Sequence, residues 1–196
     1  MEILAVVIIS YLLGSISFGY LVAKYWKGID IRQFGSGNVG TTNVFRTLGP
    51  VPGVIVFFGD FFKGAVATWL GLWAGNEWIG IFAGLVAMIG HSHSLFLNFK
   101  GGKVIATGVG VLFALNYKVA LAALAIWAVV LFLFRYVSLA SIIAAVMVPI
   151  MLVGFQAPIP YIVFGLIGAS FAVYKHRPNI QRLRNRTEPK VGKKRF

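Results

Sequence analysis

Seven apolar runs divide the chain, at about 3–23, 51–74, 78–90, 104–115, 119–134, 138–155 and 160–174. A helix crossing the hydrocarbon of a bilayer needs roughly 20 such residues, or about 17 at the short end. Five of the runs reach or nearly reach that length. The third and fourth are short, and they enclose a polar, glycine-bearing stretch at 91–103. The pattern fits seven crossings, two of them short, or five crossings and a re-entrant pair of half-helices. Lys100 and Lys103 favour crossing, because a re-entrant tip would take both ammonium groups out of water. The predicted fold is therefore all-α: a polytopic integral membrane protein with seven transmembrane helices. One bundle is expected over 1–175, followed by a basic tail at 176–196. Gly71-x-x-x-Gly75 and Gly80-x-x-x-Gly84 have the spacing that allows close helix packing, although glycine is also simply common in membrane helices.

Composition sharpens this picture. The 196 residues are 59% hydrophobic and only 12% charged, against roughly 25% charged in a typical soluble domain. Yet Lys+Arg number 18 and Asp+Glu 5, a formal net of +13. A soluble nucleic-acid binder would carry such a charge on a hydrophilic surface, which this chain has too little polar sequence to make, so no nucleic-acid partner is expected. The cations sort by side. With the N-terminus outside, every lysine and arginine falls on the cytoplasmic face except Lys118 and Lys63, the latter inside the second run. The positive-inside rule thus predicts an outside N-terminus and a cytoplasmic C-terminus. The first run follows Met1-Glu2 with no positive n-region and no clear A-x-A exit, so it is expected to be a retained helix. The absence of cysteine removes disulfides, thiolate metal sites and cysteine nucleophiles.

In so apolar a chain the polar residues carry the information, and they gather in three stretches on the predicted cytoplasmic side. The first is GSGNVGTTNVFR, residues 35–46. Gly35, Gly37 and Gly40 permit tight turns whose N–H groups can form an anion-binding nest. Ser36, Asn38, Thr41, Thr42 and Asn43 add neutral hydrogen-bonding groups, and Arg46 a planar fork suited to phosphate. An ordinary polar turn is the alternative; the pattern does not match a Walker A loop. The second is HSHSLFLNFKGGKVIAT, residues 91–107, where Gly101, Gly102 and Lys103 precede an apolar helix as in an anion site at a helix N-terminus. His91 and His93 lack a carboxylate or cysteine companion in the motif, so no metal is expected, and Phe96, Leu97 and Phe99 read as interface anchors. The third opens with KHRPN at 175–179 and runs on to Glu188. His176 can donate or accept a proton or bind phosphate; the rest of the tail reads as a solvated segment facing anionic lipid. Within the second run, Asp60 and Lys63 are three apart and able to neutralise each other as a structural pair, a direct catalytic role being the alternative.

Cationic, glycine-rich elements on one face point to a phosphorylated substrate, and membrane embedding to an apolar one. Lipid synthesis and phosphate transport both satisfy those facts. The stretches GSGNVGTTNVFR, DFFKG, GHSHSLFLNFKGGKVIAT and HRPNIQRLRNRTE, in that order, resemble the bacterial acyl-phosphate:glycerol-3-phosphate acyltransferase family, the Y-type Pls enzymes. The resemblance runs from the first apolar run to near Glu188. It implies transfer of a fatty acyl group from a long-chain acyl phosphate to the 1-hydroxyl of glycerol 3-phosphate, without a cofactor, giving lysophosphatidate and phosphate. It also implies catalytic roles for Ser36, Arg46, Lys103, His176 and Asn179. Substrate contacts are implied at Gly35, Gly37, Asn38, Gly40, Thr41, Asn43, Gly101 and Gly102, and a structural role at Glu188. Two residues depart from the family pattern, Val104 and Arg186, each standing where glycine is usual. Because an acyl phosphate is already activated, direct attack by the substrate hydroxyl is expected; an acyl-Ser36 intermediate, which would need a base, is the alternative. The base is either His176 or a substrate phosphate. The other acyltransferase signature, H-x-x-x-x-D, is absent: Phe96, Asn98 and Gln181 stand five residues after the three histidines.

Overall fold

Inside and outside are exchanged relative to a protein built for water. Ser10, Asp60, Lys63, Thr68 and Thr107 are buried, whereas Trp73, Phe132, Leu133 and Ile159 face outward. Only a hydrocarbon solvent makes that arrangement favourable. The computed structural model describes residues 2–192, without the side chain of Glu2; Lys193, Lys194 and Arg195 of the predicted tail lie outside the described residues. It is all-helical among the described residues, apart from turns and loops, and it divides into two compact units, the first ending at Leu115 and the second starting at Asn116.

The first unit holds α1 (Glu2–Ser15), α2 (Phe18–Lys27), α3 (Thr41–Leu48), α4 (Pro50–Ala74), α5 (Glu77–Ser92) and α6 (Ile105–Leu115). Its axis is α4, which packs against all five others. At 25 residues α4 is about 38 Å long, enough to span a hydrocarbon core. Pro50 starts it, where a missing N–H does no harm. Small residues set how closely its neighbours lie. A Cβ on Gly64 would strike the Thr107 carbonyl of α6, and one on Gly110 the Phe61 carbonyl of α4. Gly71 lies against Gly80 and Ala83 of α5, and Gly84 against Thr68 and Val111, so the glycine spacings do mark close contacts. The α4–α5 turn is capped by Asn76, whose side chain accepts from the Trp78 and Ile79 amides.

The first apolar run, expected as one helix, is broken at Ile16 and Ser17. Serines 15 and 17 favour this break, because a serine hydroxyl competes for nearby backbone groups and caps well. Ser17 caps α2 by accepting from the Tyr20 amide. A break in an apolar segment orphans backbone carbonyls, and no water is at hand to solvate them. Here other elements supply the donors: Lys63 Nζ to Ile16 O at 2.7 Å, and Ser94 Oγ to Ser15 O at 2.6 Å.

The second unit contains α7 (Tyr117–Phe134), α8 (Val137–Gly154), α9 (Ile159–Lys175) and α10 (Arg177–Arg184). Asn116 caps α7 through the Val119 amide, and Trp127 on α7 donates to Ser141 on α8. α10 bends away from α9 by 59° at His176. Its end is a Schellman motif: Thr187 N–H reaches Arg182 O and Arg186 N–H reaches Leu183 O, with Arg186 at φ 57°. The following strap returns to the α7–α8 turn, where Val191 N–H donates to Arg135 O and Lys190 lies over the Tyr136 ring. Residues 185–192 are therefore docked rather than fully solvated.

Five helical stretches are long and apolar enough to cross a membrane, or six when α9 and α10 are taken together, while α6 has only 11 residues. All seven apolar runs are helical and keep their expected bounds within two or three residues, save that the first continues as α2 to Lys27.

Both departures from the glycine pattern hold a left-handed backbone, Val104 at φ 62° and Arg186 at φ 57°. The backbone geometry is kept without the residue that suits it best, at about 1–2 kcal/mol for each position. Arg186 is exposed, so Arg186→Gly should tighten the motif by about 1 kcal/mol and slow amide exchange at Thr187 and Glu188 by about fivefold; faster exchange would contradict this. Val104 is fully buried, and its side-chain burial, about 1.5–3 kcal/mol, offsets its strain. Val104→Gly should therefore bring no gain.

Candidate active site

In the first unit the glycine loop is organised by one side chain. Asn43, in the first turn of α3, is 3% exposed. Its Nδ2 donates to the carbonyls of Phe34 at 3.0 Å, Asn38 at 2.9 Å and Ile31 at 3.3 Å, and its Oδ1 accepts from Ser36 N–H at 2.9 Å. Gly35 and Gly37 have φ 59° and 71°, the left-handed geometry that wraps the loop about that amide. Gly37 N–H donates to Phe34 O, and Gly40 N–H to Asn38 Oδ1. Three amides expected in an anion nest thus donate inside the loop. Ser36 is exposed together with Phe34, Gly35 and Gly37, and Arg46 is exposed on the following helix. Thr41 is half-buried.

The second predicted stretch is built on a buried ionic cluster. Lys63 Nζ lies 2.7 Å from Asp60 Oδ1, so the pair expected from their spacing is present. It reaches a third group, His91 near the end of α5, whose Nδ1 is 2.9 Å from Lys63 Nζ and 3.5 Å from Asp60 Oδ1. The His91 carbonyl accepts from Gly102 N–H at 3.0 Å, and a Cβ at Gly102 would run into the His91 ring. Gly101 backs onto the His91 and Ser92 main chain in the same way. These glycines are required for close approach to His91, a reason that chain reading alone did not give them. Lys103 follows, half-buried, and then Val104, whose carbonyl accepts from Gly108 N–H to open α6.

In the second unit His176 is 3% exposed and its Nδ1 lies 2.8 Å from the Ala172 carbonyl. A carbonyl only accepts, so Nδ1 carries the proton, and in the neutral ring the lone pair lies on Nε2. Asn179 Nδ2 donates to Glu188 Oε1 at 2.6 Å; Ser138 Oγ reaches the same oxygen at 2.6 Å, and Arg182 Nε reaches Oε2 at 2.7 Å. Burial pushes the Glu188 carboxyl up. The hydrogen bonds from Ser138, Asn179 and Arg182 outweigh it, together with the Arg182 charge, and hold the group below its ordinary value. Ser138 and Arg182 were not singled out from the sequence. A serine in an apolar run and an arginine in a basic tail carry no signal until their shared partner is known.

Several helices of membrane-spanning length and composition define a polytopic membrane protein. A family model described as glycerol-3-phosphate acyltransferase matches residues 4–186. A glycerol-3-phosphate acyltransferase of a Nostoc species is 45% identical, covering 97% of this chain and 92% of the relative. One from Desulforudis audaxviator is 50% identical, covering 93% and 94%. The crystal structure of PlsY (YgiH), an integral membrane glycerol 3-phosphate acyltransferase, in its glycerol 3-phosphate form superposes with a TM-score of 0.94 at 41% identity, covering 98% of this chain and 96% of that one. Its lysophosphatidic acid form gives 0.92. The chain belongs to the glycerol-3-phosphate acyltransferase family, and within it to the PlsY type. It is an acyltransferase, and the transporter alternative is not favoured.

Two outcomes test this geometry. Asn43→Ala leaves several loop groups unpartnered and should destabilise the first unit by about 2 kcal/mol, read as a lower unfolding temperature in detergent. Because the folded Glu188 carboxyl titrates below its ordinary value of 4.5, its stabilisation of the strap should be complete above that pH. It should be lost as pH falls through the lower folded value. Strap protection measured by hydrogen exchange should follow this course and become flat with pH in Glu188→Gln.

Proposed function

We propose that this protein acylates the 1-hydroxyl of glycerol 3-phosphate with a long-chain acyl phosphate, releasing inorganic phosphate and 1-acylglycerol 3-phosphate as the first acylation of phospholipid synthesis. The observation that carries the reading is the likeness, over nearly the whole chain, to a PlsY structure in its glycerol 3-phosphate form. The substrate hydroxyl oxygen bonds to the acyl carbon, the bond from that carbon to the bridging phosphate oxygen breaks, and phosphate leaves with the electron pair. The hydroxyl proton passes to a base, for which Nε2 of His176 is a candidate and a substrate phosphate the other. No enzyme nucleophile is needed, because a mixed anhydride is already activated.

The difficulty lies in holding two phosphate groups near each other, which cations must offset. We assign that charge to Arg46 and Lys103, with the Ser36 hydroxyl as a donor beside them and Asn43 holding the loop that carries Ser36. His176 and Asn179 take catalytic roles through the motif they match, with Glu188 orienting Asn179. For the membrane arrangement we propose seven crossings, α6 being a short one. The N-terminus lies outside and the active face is cytoplasmic, in the inner membrane of a bacterium.

Purified protein given glycerol 3-phosphate and palmitoyl phosphate should release phosphate and lysophosphatidate in equal amounts. A folded preparation that makes neither would end the assignment, and counterflow without acyl product would revive transport. Lys103→Met should lower kcat/KM by at least about 100-fold, as for loss of one charge-assisted contact to phosphate. Ser36→Ala should keep substantial turnover; a trapped acyl-Ser36 would show the covalent route instead. His176→Gln should flatten the pH profile if the histidine is the base. The chain has no cysteine, so single cysteines placed at 100 and 118 report sidedness directly, with labelling from opposite faces expected.

A further inference from the structure

The buried Asp60–Lys63–His91 cluster lies outside the machinery assigned above, yet it is joined to it. The Lys63 ammonium is ion-paired with Asp60 Oδ1 at 2.7 Å; an ammonium group only donates, and it does so to Ile16 O at 2.7 Å and His91 Nδ1 at 2.9 Å. With Lys63 donating to Nδ1, the lone pair of the neutral imidazole is held there and its proton sits on Nε2, which fixes the ring by tautomer as well as by packing. The Nε2 edge abuts Gly102, and the main chain of the same residue accepts the Gly102 N–H at 3.0 Å. Gly102 is therefore held on two sides by one residue, and Lys103 is next in the chain. From the other direction Lys103 is bounded by Val104, fully buried in a left-handed conformation. Little freedom is left to the loop between.

We propose that His91 is a positioning residue for Lys103: the Lys63 ammonium locks the imidazole, and the imidazole sets the Gly101–Lys103 loop in the register that presents the Lys103 ammonium to the phosphate of glycerol 3-phosphate. The proposal rests on the role given to Lys103 above. It assigns the Asp60–Lys63 pair a task beyond mutual neutralisation, and it makes His91 part of the substrate site without contact to substrate.

The test compares His91→Phe, which keeps a ring but has no acceptor for Lys63, with His91→Asn, whose Oδ1 stands where Nδ1 was. Lys103→Met and the double variant with His91→Phe complete the set. His91→Phe should raise KM for glycerol 3-phosphate about tenfold or more and change kcat less than threefold, while His91→Asn restores much of the KM. On a Lys103→Met background, His91→Phe should add little, because the group it positions is gone. If His91→Phe raises KM equally with and without Lys103, or leaves it unchanged while Lys103→Met raises it, the positioning role is wrong and the phosphate role of Lys103 stands. If Lys103→Met itself leaves KM and turnover unchanged, the underlying assignment fails, and this proposal with it. Should His91→Phe not fold, His91→Asn carries the test through the same double-variant comparison, with a milder rise in KM that vanishes on the Lys103→Met background; an undiminished rise there overturns the proposal.

Discussion

A lysine ammonium inside an apolar bundle is the constraint on which the first unit depends. Removing such a charge from water is expensive, and the deficit is met only when the charge is paired and hydrogen-bonded. Lys63 meets it with an ion-pair partner on its own helix and hydrogen-bond acceptors at the break between α1 and α2 and on α5. Three elements are thereby fixed to α4 at one point. The same contact supplies a donor for a carbonyl that the break would otherwise leave bare in hydrocarbon. Charge and broken backbone solve each other, which is why neither is a defect.

A related rule organises the polar loops. At loops and helix ends, one amide or carboxylate side chain gathers nearby polar groups: Asn43 for the glycine loop, Asn76 and Asn116 at the starts of α5 and α7, and Glu188 in the strap of the second unit. Ser36 is carried on a loop whose interior is already tied by Asn43.

Much of this could be read along the chain. The apolar runs locate the helices because hydrocarbon leaves the backbone few alternatives, and the i, i+3 spacing of Asp60 and Lys63 is enough to predict their pairing. Three polar stretches mark where the chain forms loops tied by buried polar groups. What the chain does not show is how distant groups meet. Ile16, Lys63 and His91 are far apart in sequence, and nothing local distinguishes His91 from His93, yet one is buried against Lys63 and the other is exposed. Asn43 looked like one more polar group of a motif; only the fold commits its amide to the loop. Gly101 and Gly102 suit an anion site on paper, yet Gly101 abuts the His91 and Ser92 main chain and Gly102 the His91 ring. Val104 and Arg186 show the converse: the left-handed backbone survives the loss of glycine because burial holds the first and a helix-end motif the second.

The short spacing between Asp60 and Lys63 also bears on how α4 comes to lie in a bilayer. At the time it is synthesised, its later partner on α5 does not yet exist. A lone lysine or aspartate at the middle of an inserting helix opposes insertion by about 2.5–3.5 kcal/mol. Two opposite charges one turn apart enter as a nearly neutral dipole, carried by a segment of phenylalanine, valine and glycine. The ion pair acts as an escort: it brings a charge into the membrane, and His91 and the Ile16 carbonyl take up the remaining hydrogens once the bundle closes.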